Sequence, residues 1–385
     1  MSKYIERIIE DQIRKDVTGK MVFLAGPRQT GKTTLALHLF SIESPLVTDR
    51  YLNWDVTAHR ENIISEKFPT GGGPLILDEI HKYSRWRQVV KGLFDLRGRE
   101  LQILVTGSAR LDYYRRGGDS LQGRYHFYRS LPLTLSEVDA STVADVEAVM
   151  RYGGFPEQFL LASEQESRRW SREYRCRVLQ EDLSGLERVM DLALVERLVM
   201  RMPELVGAPL SLNGLREDLE VSHQTVSRWV RLLENIYMVF RIYPFGSSKI
   251  RAVRKEAKHY HFDWTVVPDW AARFENLVGC NLLARCYYMQ DVEGRDWELK
   301  YFRDTDKREV DFIICDGGKA VFAIECKLKD EKPSLPLRYF RVRFPEVKTV
   351  QVVLGSNVDV TTRDGIRICG AHRFFRDFSI TAPAE

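Results

Sequence analysis

The sequence predicts an α/β protein whose N-terminal part is built on a parallel sheet. Three short apolar runs, MVFLAG, PLILDE and LQILVTGS, each lead into a polar turn and are separated by helical patterns. Continuous apolar strands that alternate with helices are typical of a parallel sheet covered on both faces. The 385 residues exceed one ordinary domain and 44% of them are hydrophobic, so several buried cores are expected.

Charge and hydropathy argue against a protein that is basic over its whole surface and against a secreted or membrane-spanning protein. The net charge is only +4, from 58 basic and 54 acidic side chains, so any surface for nucleic acid must be local. The first twenty residues are charged throughout and lack the apolar core of a signal peptide. No apolar run approaches the roughly 18 residues of a membrane-spanning helix. The six cysteines include no Cys-x-x-Cys pair. We therefore expect a cytoplasmic protein with no membrane partner.

Composition and periodicity divide the chain into four segments. After the α/β part, helical patterns follow the break GGFPE. A short helix, a turn and a second helix then precede a strand. The last segment opens with the amphipathic stretch FENLVGCNLLARCYY and continues with strand-like runs. The predicted segments are an α/β domain at 1–138, a helical connector or lid at 139–205, a winged helix-turn-helix at 206–268 and a second α/β domain at 269–385.

The stretch GPRQTGKT follows the pattern G-x-x-x-x-G-K-[ST] between an apolar strand and a helix. Glycines allow such a loop to curl, so that its amides and the helix N-terminus converge on phosphate oxygens. Lys32 is predicted to reach the β- and γ-phosphates, and Thr33 to bind Mg²⁺. ATP and Mg²⁺ are the predicted cofactors. The predicted nucleotide-binding residues are Gly26, Pro27, Arg28, Gln29, Thr30, Gly31, Lys32, Thr33 and Thr34.

Two further strand ends carry polar side chains that suit hydrolysis. The run PLILDE ends in Asp78, expected to hold the Mg²⁺ hydration shell, and in Glu79, expected to orient and deprotonate the attacking water. The run LQILVTGS ends in Thr106 and Ser108, either of which suits a sensor of the γ-phosphate; Ser108 is taken as catalytic. The alternatives are a solvated pair of acids and an ordinary turn after a strand.

Beyond these motifs the sequence resembles a known family. The order of the phosphate loop, LDEIHKYSRWRQVVKGLFD, VTGSAR, SLQGRYHFYRSLPLTLSEV and GGFPEQF is similar to bacterial and archaeal AAA+-type P-loop ATPases that carry a C-terminal winged helix and a restriction-nuclease-like fold. The motifs are specific up to about residue 160. The family often has Gln after DEI, where this chain has His81, and His81 is assigned no catalytic role.

The resemblance also implies a role for Arg124 in LQGRYHF. In AAA+-type enzymes an arginine commonly reaches the γ-phosphate held by a neighbouring subunit, and Arg offers a permanently charged planar donor for transition-state charge. Arg110 and Arg129 are rival candidates, and a surface ion pair is the plain alternative. The implied assembly is a homo-oligomer, by resemblance a hexamer.

The last segment holds an acid-rich constellation. Asp311 lies in REVDFII, and Glu325 and Lys327 lie in AVFAIECK, two residues apart and so on one face of a strand. This is the arrangement of the PD-(D/E)XK nucleases, in which carboxylates bind Mg²⁺ or Mn²⁺ and the lysine orients water. Glu275, on the preceding helix, resembles the extra acid of these folds. A solvated pair on an edge strand is the alternative, and this fold also serves as a non-cleaving binding module.

The helix-turn-helix segment suggests a surface for DNA. Side chains at the start of its second helix are where base or phosphate contacts are usual, and a basic stretch follows it. The predicted DNA-binding residues are Gln224, Arg228, Lys249, Arg251, Arg254 and Lys255, with Ser222 and Lys258 beside them. The alternatives are packing against a protein partner and a solvated face.

Two functions remain open from the sequence. One is an oligomeric ATPase that binds or processes DNA and whose C-terminal domain has the residues expected of a nuclease. The other is an ATP-controlled switch or scaffold that binds DNA or a protein partner through a nuclease-like fold without activity. Stimulation of ATP turnover by DNA favours the first.

Overall fold

The computed structural model describes residues 4–45, 48–108, 111, 121–183, 191–246, 256–329 and 332–380. The chain divides into two compact units, one of residues 3–131 and one that holds residues 132–385. Within the described ranges, every helix is too short or too polar to cross a bilayer.

The first unit contains a five-stranded sheet whose strands are all parallel, in the order β2-β3-β4-β1-β5. Its strands are β1 Met21–Ala25, β2 Tyr51–Asn53, β3 Gly73–Asp78, β4 Leu101–Thr106 and β5 Tyr125–Arg129. Its helices are α1 Glu10–Asp16, α2 Lys32–Leu39, α3 Thr57–Ile64 and α4 Trp86–Arg97. The parallel sheet predicted from the apolar runs is confirmed in β1, β3 and β4. Strands β2 and β5 escape the pattern because one is three residues long and the other is rich in polar side chains.

The second unit begins with helices. They are α5 Val143–Tyr152, α6 Pro156–Leu161, α7 Glu164–Arg177, α8 Leu192–Arg201, α9 Leu212–Asp218 and α10 His223–Asn235. Thr142 and Asp145 form a reciprocal capping box at the start of α5. Between α5 and α6 the backbone turns at Gly153, whose φ is 86°, within the predicted GGFPE break.

The rest of this unit is a mixed sheet of eight strands in the order β12-β13-β11-β10-β9-β8-β6-β7. Its strands are β6 Val239–Pro244, β7 Lys258–His261, β8 Trp297–Arg303, β9 Glu309–Asp316, β10 Lys319–Lys327, β11 Lys348–Val353, β12 Asp359–Thr361 and β13 Ile366–Gly370. Its helices are α11 Trp270–Asp291, α12 Leu335–Arg343 and α13 Ala371–Ile380.

Strand β6 links the two C-terminal segments predicted from sequence. It pairs antiparallel with β7 on one side and parallel with β8 on the other. Residues on both sides of the predicted boundary at 268 and 269 therefore share one sheet. Within this sheet, β8 lies between the hairpin of β6 and β7 and the acidic strand β9.

Candidate functional site

The phosphate-loop sequence lies between the carboxyl end of β1 and the first turn of α2. Gly26 has φ 149°, and a Cβ added there would lie 2.1 Å from the carbonyl oxygen of Ser130. Gly31 and Gln29 also adopt left-handed backbone, with φ of 84° and 61°. The loop therefore requires glycine at residue 26, because a side chain there would collide with the neighbouring backbone.

The side chain of Lys32 folds back onto the phosphate loop to which it belongs. The Nζ atom of Lys32 donates to the carbonyl oxygens of Gly26 and Pro27, at 3.1 Å and 2.5 Å. The side chain is buried, with 7% exposed. The amine is thus held by neutral carbonyl groups inside the loop where phosphate oxygens are predicted to bind. A phosphate would offer this cation a charged partner instead.

Asp78, at the end of β3, accepts hydrogen bonds from side chains of the two neighbouring strands, β2 and β4, and of helix α2. Its Oδ2 atom accepts from Thr33 Oγ1 at 3.0 Å, from Tyr51 Oη at 2.6 Å and from Asn53 Nδ2 at 3.4 Å. Thr106 Oγ1 donates a short hydrogen bond to Oδ1. Asp78 is 4% exposed, so these donors stabilise a buried carboxylate. The structure joins the two predicted Mg²⁺ ligands, Thr33 and Asp78, and adds Tyr51 and Asn53, which carry no sequence motif.

Glu79 follows in a left-handed conformation, with φ 56°. Its Oε2 atom lies 3.3 Å from Lys82 Nζ, and that amine lies 2.6 Å from Asp55 Oδ2. Burial raises the pKa of Glu79, while the charges of Lys82 and Lys32 oppose the shift. The predicted base is therefore held in an ion pair with a lysine from its own turn.

His81 and Ser108 lie near Glu79, at the carboxyl ends of the strands. His81 Nε2 lies 3.7 Å from Glu79 Oε2, and the His81 side chain is fully buried. Ser108 is buried, two residues beyond the end of β4. The backbone amide of Gly107 donates to Leu24 at 3.2 Å, which fixes the turn leading to Ser108 against β1.

Arg7 attaches the phosphate loop to the end of β5, a role that no sequence motif indicates. Its guanidinium donates to the carbonyl oxygens of Thr30 at 2.8 Å and Leu131 at 2.5 Å. It also donates to Ser130 Oγ at 3.3 Å. Arg7 is 8% exposed. A lone arginine near a helix gives no periodic signal, so only the folded structure shows this contact.

Arg124 lies at the amino-terminal ends of the strands, whereas the phosphate loop lies at their carboxyl ends. It precedes β5, whose first residue pairs with Met21 at the start of β1, whereas Arg129 pairs with Ala25 at the loop edge. Arg124 forms a bidentate ion pair with Asp95. The Nε and Nη2 atoms of Arg124 lie 2.7 Å and 3.3 Å from the carboxylate oxygens of Asp95. Arg124 is therefore placed at the other end of the strands from the phosphate loop of its own chain. The rival Arg110 lies outside the described residues.

The predicted acidic constellation of the C-terminal segment comes together around a buried lysine. Lys258 Nζ lies 3.1 Å from Glu275 Oε1, 2.6 Å from Glu309 Oε1 and 3.6 Å from Asp311 Oδ1. The Lys258 side chain has no exposed area. The prediction that Lys258 belongs to a solvent-facing basic surface is therefore wrong, because its β7 position turns the amine into the acidic cluster.

The second half of this cluster lies on β10. Lys327 Nζ is 2.9 Å from Glu325 Oε1, and Glu325 Oε2 is buried with no hydrogen-bond partner. Asp311 Oδ2 accepts from the Cys326 amide at 2.9 Å. Burial and the charge of Asp311 raise the pKa of Glu325 to about 8 and that of Glu275 to about 7.

Positively charged side chains lie beside the carboxyl groups of this cluster. The amines of Lys258 and Lys327 face four carboxyl groups, and Arg303 Nη1 lies 3.2 Å from Glu309 Oε2. Opposite charges of this kind stabilise the ionised carboxylates, whereas burial and neighbouring acids raise their pKa values. Among the described residues, no set of three or more His, Cys, Asp or Glu side chains is arranged to hold a metal ion. The sequence signal missed here is Lys258 itself, a charged residue that begins a buried strand.

The predicted DNA-binding residues are described only in part. Gln224 and Arg228 are exposed on one face of α10, opposite the buried Val226 and Val230. Ser222 caps this helix, its Oγ accepting from the Thr225 amide at 3.1 Å. Lys249, Arg251, Arg254 and Lys255 lie outside the described residues.

Comparison with known families identifies the first unit. Residues 18–139 match the family described as AAA domain. The parallel sheet and the loop of Gly26 to Thr33 both lie within the matched residues, so this part of the chain is similar to an AAA-type P-loop domain. Residues 143–272 match a domain of unknown function, DUF8612, and residues 271–374 match another, DUF4143. No curated protein matches the chain.

Comparison of this structure with solved structures finds matches that include three proteins. The Thermotoga maritima RuvB Holliday junction branch migration motor is 17% identical, with TM-score 0.32, over 62% of this chain and 90% of that chain. The Aeropyrum pernix ORC1 protein in complex with DNA is 14% identical, with TM-score 0.35, over 74% and 95%. The Bacillus subtilis DNA clamp loader delta protein is 10% identical, with TM-score 0.28, over 59% and 88%.

The contacts of Arg7 generate a prediction about nucleotide affinity. Arg7→Lys keeps the charge but removes the forked donors that hold Thr30 and Leu131 together. We expect ATP to bind at least about tenfold more weakly, the order of one lost hydrogen bond to a charged group. Titration calorimetry with Mg²⁺ and a non-hydrolysable ATP analogue measures this.

The exposed Arg85 of the same unit provides the matched control, and Arg85→Lys should leave affinity unchanged. Thermal unfolding of both variants separates a weakened loop from a lost fold. Parental affinity in a folded Arg7→Lys variant would show that the loop does not depend on this clamp.

Proposed function

We propose that the first unit hydrolyses ATP with Mg²⁺. The observation that carries this proposal is the hydrogen bond from Thr33 to Asp78. It joins the phosphate loop to the acid that directly precedes Glu79 in the sequence. Thr33 and Asp78 suit a magnesium ion because hydroxyl and carboxylate oxygens are the ligands that it prefers. The bound ion would neutralise charge on the phosphates.

The protein residues have separate tasks in this reaction. Loop amides and Lys32 hold the β- and γ-phosphates, while Glu79 orients the attacking water and accepts its proton. Ser108 lies beyond the neighbouring strand end and contacts the γ-phosphate. Because Glu79 pairs with Lys82 in this structure, its carboxylate exchanges that partner for the water when the reaction occurs.

Two substitutions test this assignment. Lys32→Ala removes the phosphate contact and should abolish ATP binding or turnover. Glu79→Gln keeps the shape of the side chain but removes its base, so ATP should bind and remain unhydrolysed. Phosphate release and filter binding measure the two steps. Turnover at the parental rate in purified Glu79→Gln would refute the role of Glu79.

We propose further that the active form is a homo-oligomer, a hexamer by family resemblance, in which Arg124 acts on a neighbour's γ-phosphate. The position of Arg124 away from its own phosphate loop supports such a role, as does its half-exposed side chain. In the assembly Arg124 must exchange Asp95 for the phosphate.

Arg124→Ala should slow hydrolysis by roughly 10³-fold while ATP still binds. Arg97→Ala, at the end of α4 in the same unit, is a control that removes a partly exposed arginine. Steady-state turnover and light scattering measure rate and assembly. A fully active monomer would contradict the proposal.

The second unit is proposed to bind DNA, through the exposed Gln224 and Arg228 and through the predicted Lys249, Arg251, Arg254 and Lys255. Coupling of ATP hydrolysis to DNA is tested by the turnover rate with duplex, single-stranded and junction DNA. Faster turnover supports a DNA-processing ATPase. Unchanged turnover favours the second candidate, an ATP-controlled switch or scaffold that binds DNA or a protein partner.

Lys258 favours the non-cleaving version of the C-terminal domain. The order of elements from α11 to β11 supports the nuclease-like assignment of Glu275, Asp311, Glu325 and Lys327. It consists of a helix, three antiparallel strands, a second helix and a further strand. In such a fold, cleavage requires a second Mg²⁺ or Mn²⁺ at the carboxylates. Here an amine already compensates three of the acids, so we propose that the fold is retained for binding.

Removing this amine should leave buried carboxylates without compensation. Lys258→Met should lower the free energy of unfolding by about 3–5 kcal/mol, the usual cost of breaking a buried ion pair. Lys300→Met removes a more exposed pair with Glu298, 2.9 Å apart on the same sheet, and should cost under about 1 kcal/mol. Denaturant unfolding measures both variants.

Cleavage is tested separately, by incubating plasmid DNA with the parental protein and Mn²⁺. The proposal expects no nicking above that of Asp311→Asn. Nicking that Asp311→Asn abolishes would instead establish a working nuclease.

A further inference from the structure

The amine of Lys82 lies between two carboxylates that belong to different segments of the first unit. Its Nζ atom is 2.6 Å from Asp55 Oδ2, in the loop between β2 and α3, and 3.3 Å from Glu79 Oε2, in the turn after β3. Glu79 is the base of the proposed reaction, whereas Asp55 belongs to no sequence motif. One ammonium group is therefore shared between the acid expected to act on water and an acid that has no assigned role.

The three side chains differ in their exposure to solvent. The Asp55 side chain is 54% exposed, against 26% for Lys82 and 20% for Glu79. The amine thus lies between an acid at the surface and an acid deeper in the site. Because a lysine carries its charge on a flexible stem with three rotatable donors, this amine can favour either carboxylate without a change in the backbone.

The backbone segments that carry these side chains are joined independently of the ion pairs. The rings of Trp54 and Tyr83 stack with their centroids 4.8 Å apart. These rings directly neighbour Asp55 and Lys82 in the sequence. The Trp54 amide also donates to the carbonyl oxygen of Asp78 at 3.0 Å. Removing one charge should therefore leave the segments in place and change only which carboxylate the amine contacts.

The contact with Lys82 competes with the role proposed for Glu79. The ammonium group lies against Oε2 of the Glu79 carboxylate, and its opposite charge favours this contact over one with a neutral water molecule. His81 Nε2 is a more distant neighbour of the same oxygen, at 3.7 Å. A charge that draws the amine away from Oε2 would open the carboxylate to water, and Asp55 supplies such a charge 2.6 Å from the amine.

We propose that Asp55 is a positioning residue for ATP hydrolysis, which acts by drawing the Lys82 amine away from Glu79. Lys82 restrains the base in the resting arrangement, and transfer of its amine to Asp55 alone leaves the Glu79 carboxylate open to the attacking water. The described ion pairs of Lys82 are with these two acids and not with the phosphate loop, so the effect falls on kcat rather than on the KM for ATP. This inference rests on the function proposed for the first unit.

Two substitutions in the full chain should change turnover in opposite directions. Asp55→Asn keeps the size of the side chain but removes its charge, so the amine pairs with Glu79 alone and kcat should fall about two- to fivefold, the effect of one exposed ion pair. Lys82→Met removes the restraint and should raise kcat by a similar factor. Phosphate release at saturating ATP and Mg²⁺ measures kcat, and titration with a non-hydrolysable ATP analogue should show parental affinity in both variants.

The double variant shows whether Asp55 acts through Lys82. With Lys82→Met in place, Asp55→Asn should have no further effect on kcat, because no amine remains to be redirected. Lys67→Met and Asp49→Asn are matched controls that remove exposed charges elsewhere in the first unit, and both should turn over at the parental rate. Thermal unfolding verifies the fold, and Asp55→Asn alone decides the test if Lys82→Met is unfolded.

Glu79→Gln, measured beside these variants, separates this inference from the proposed function. If Glu79→Gln turns over at the parental rate, the proposed function and the inference both fail. If Glu79→Gln is inactive but Asp55→Asn and Lys82→Met keep the parental kcat, the inference alone fails. A fall of kcat in Lys82→Met, or an equal effect of Asp55→Asn with and without the Lys82 amine, would also overturn it.

Discussion

The nucleotide site depends on one buried carboxylate, that of Asp78. Parallel pairing aligns Asn53, Asp78 and Thr106 across β2, β3 and β4, so polar side chains from separate strands meet at one edge of the sheet. Thr33 connects the same carboxylate to α2. Strand order thus brings the phosphate loop and Asp78, the acid proposed to bind Mg²⁺, to the same end of the sheet, and each donor that stabilises Asp78 also determines its position.

The residues with sequence motifs could be predicted because their signals are local. Lys32 and Thr33 follow a glycine pattern, and Asp78 and Glu79 follow an apolar strand. Arg7 could not be predicted in the same way, since its contacts with Thr30 and Leu131 depend on chain segments more than 20 residues apart. Tyr51 and Asn53 lie on a strand of three residues, too short for a periodic signal.

The C-terminal cluster shows a different reason for incomplete prediction. The spacing of Glu325 and Lys327 indicates a shared strand face, and the structure brings Asp311 and Glu275 to the same region. Charge alone placed Lys258 on a basic surface, but β7 pairs with β6, which turns its first residue inward. A lysine among carboxylates changes their electrostatics as a bound cation would, and this observation supports the proposed binding role over cleavage.

The central claim, that the edge of the sheet at Asp78 hydrolyses ATP with Mg²⁺, is tested most directly by phosphate release from the purified parental chain. The rate should be saturable in ATP, should rise with Mg²⁺ and should vanish when EDTA removes the metal, because Thr33 and Asp78 then have no ion to hold. Hydrolysis that persists undiminished in EDTA would contradict the account, as would bound ATP that is not hydrolysed at any Mg²⁺ concentration.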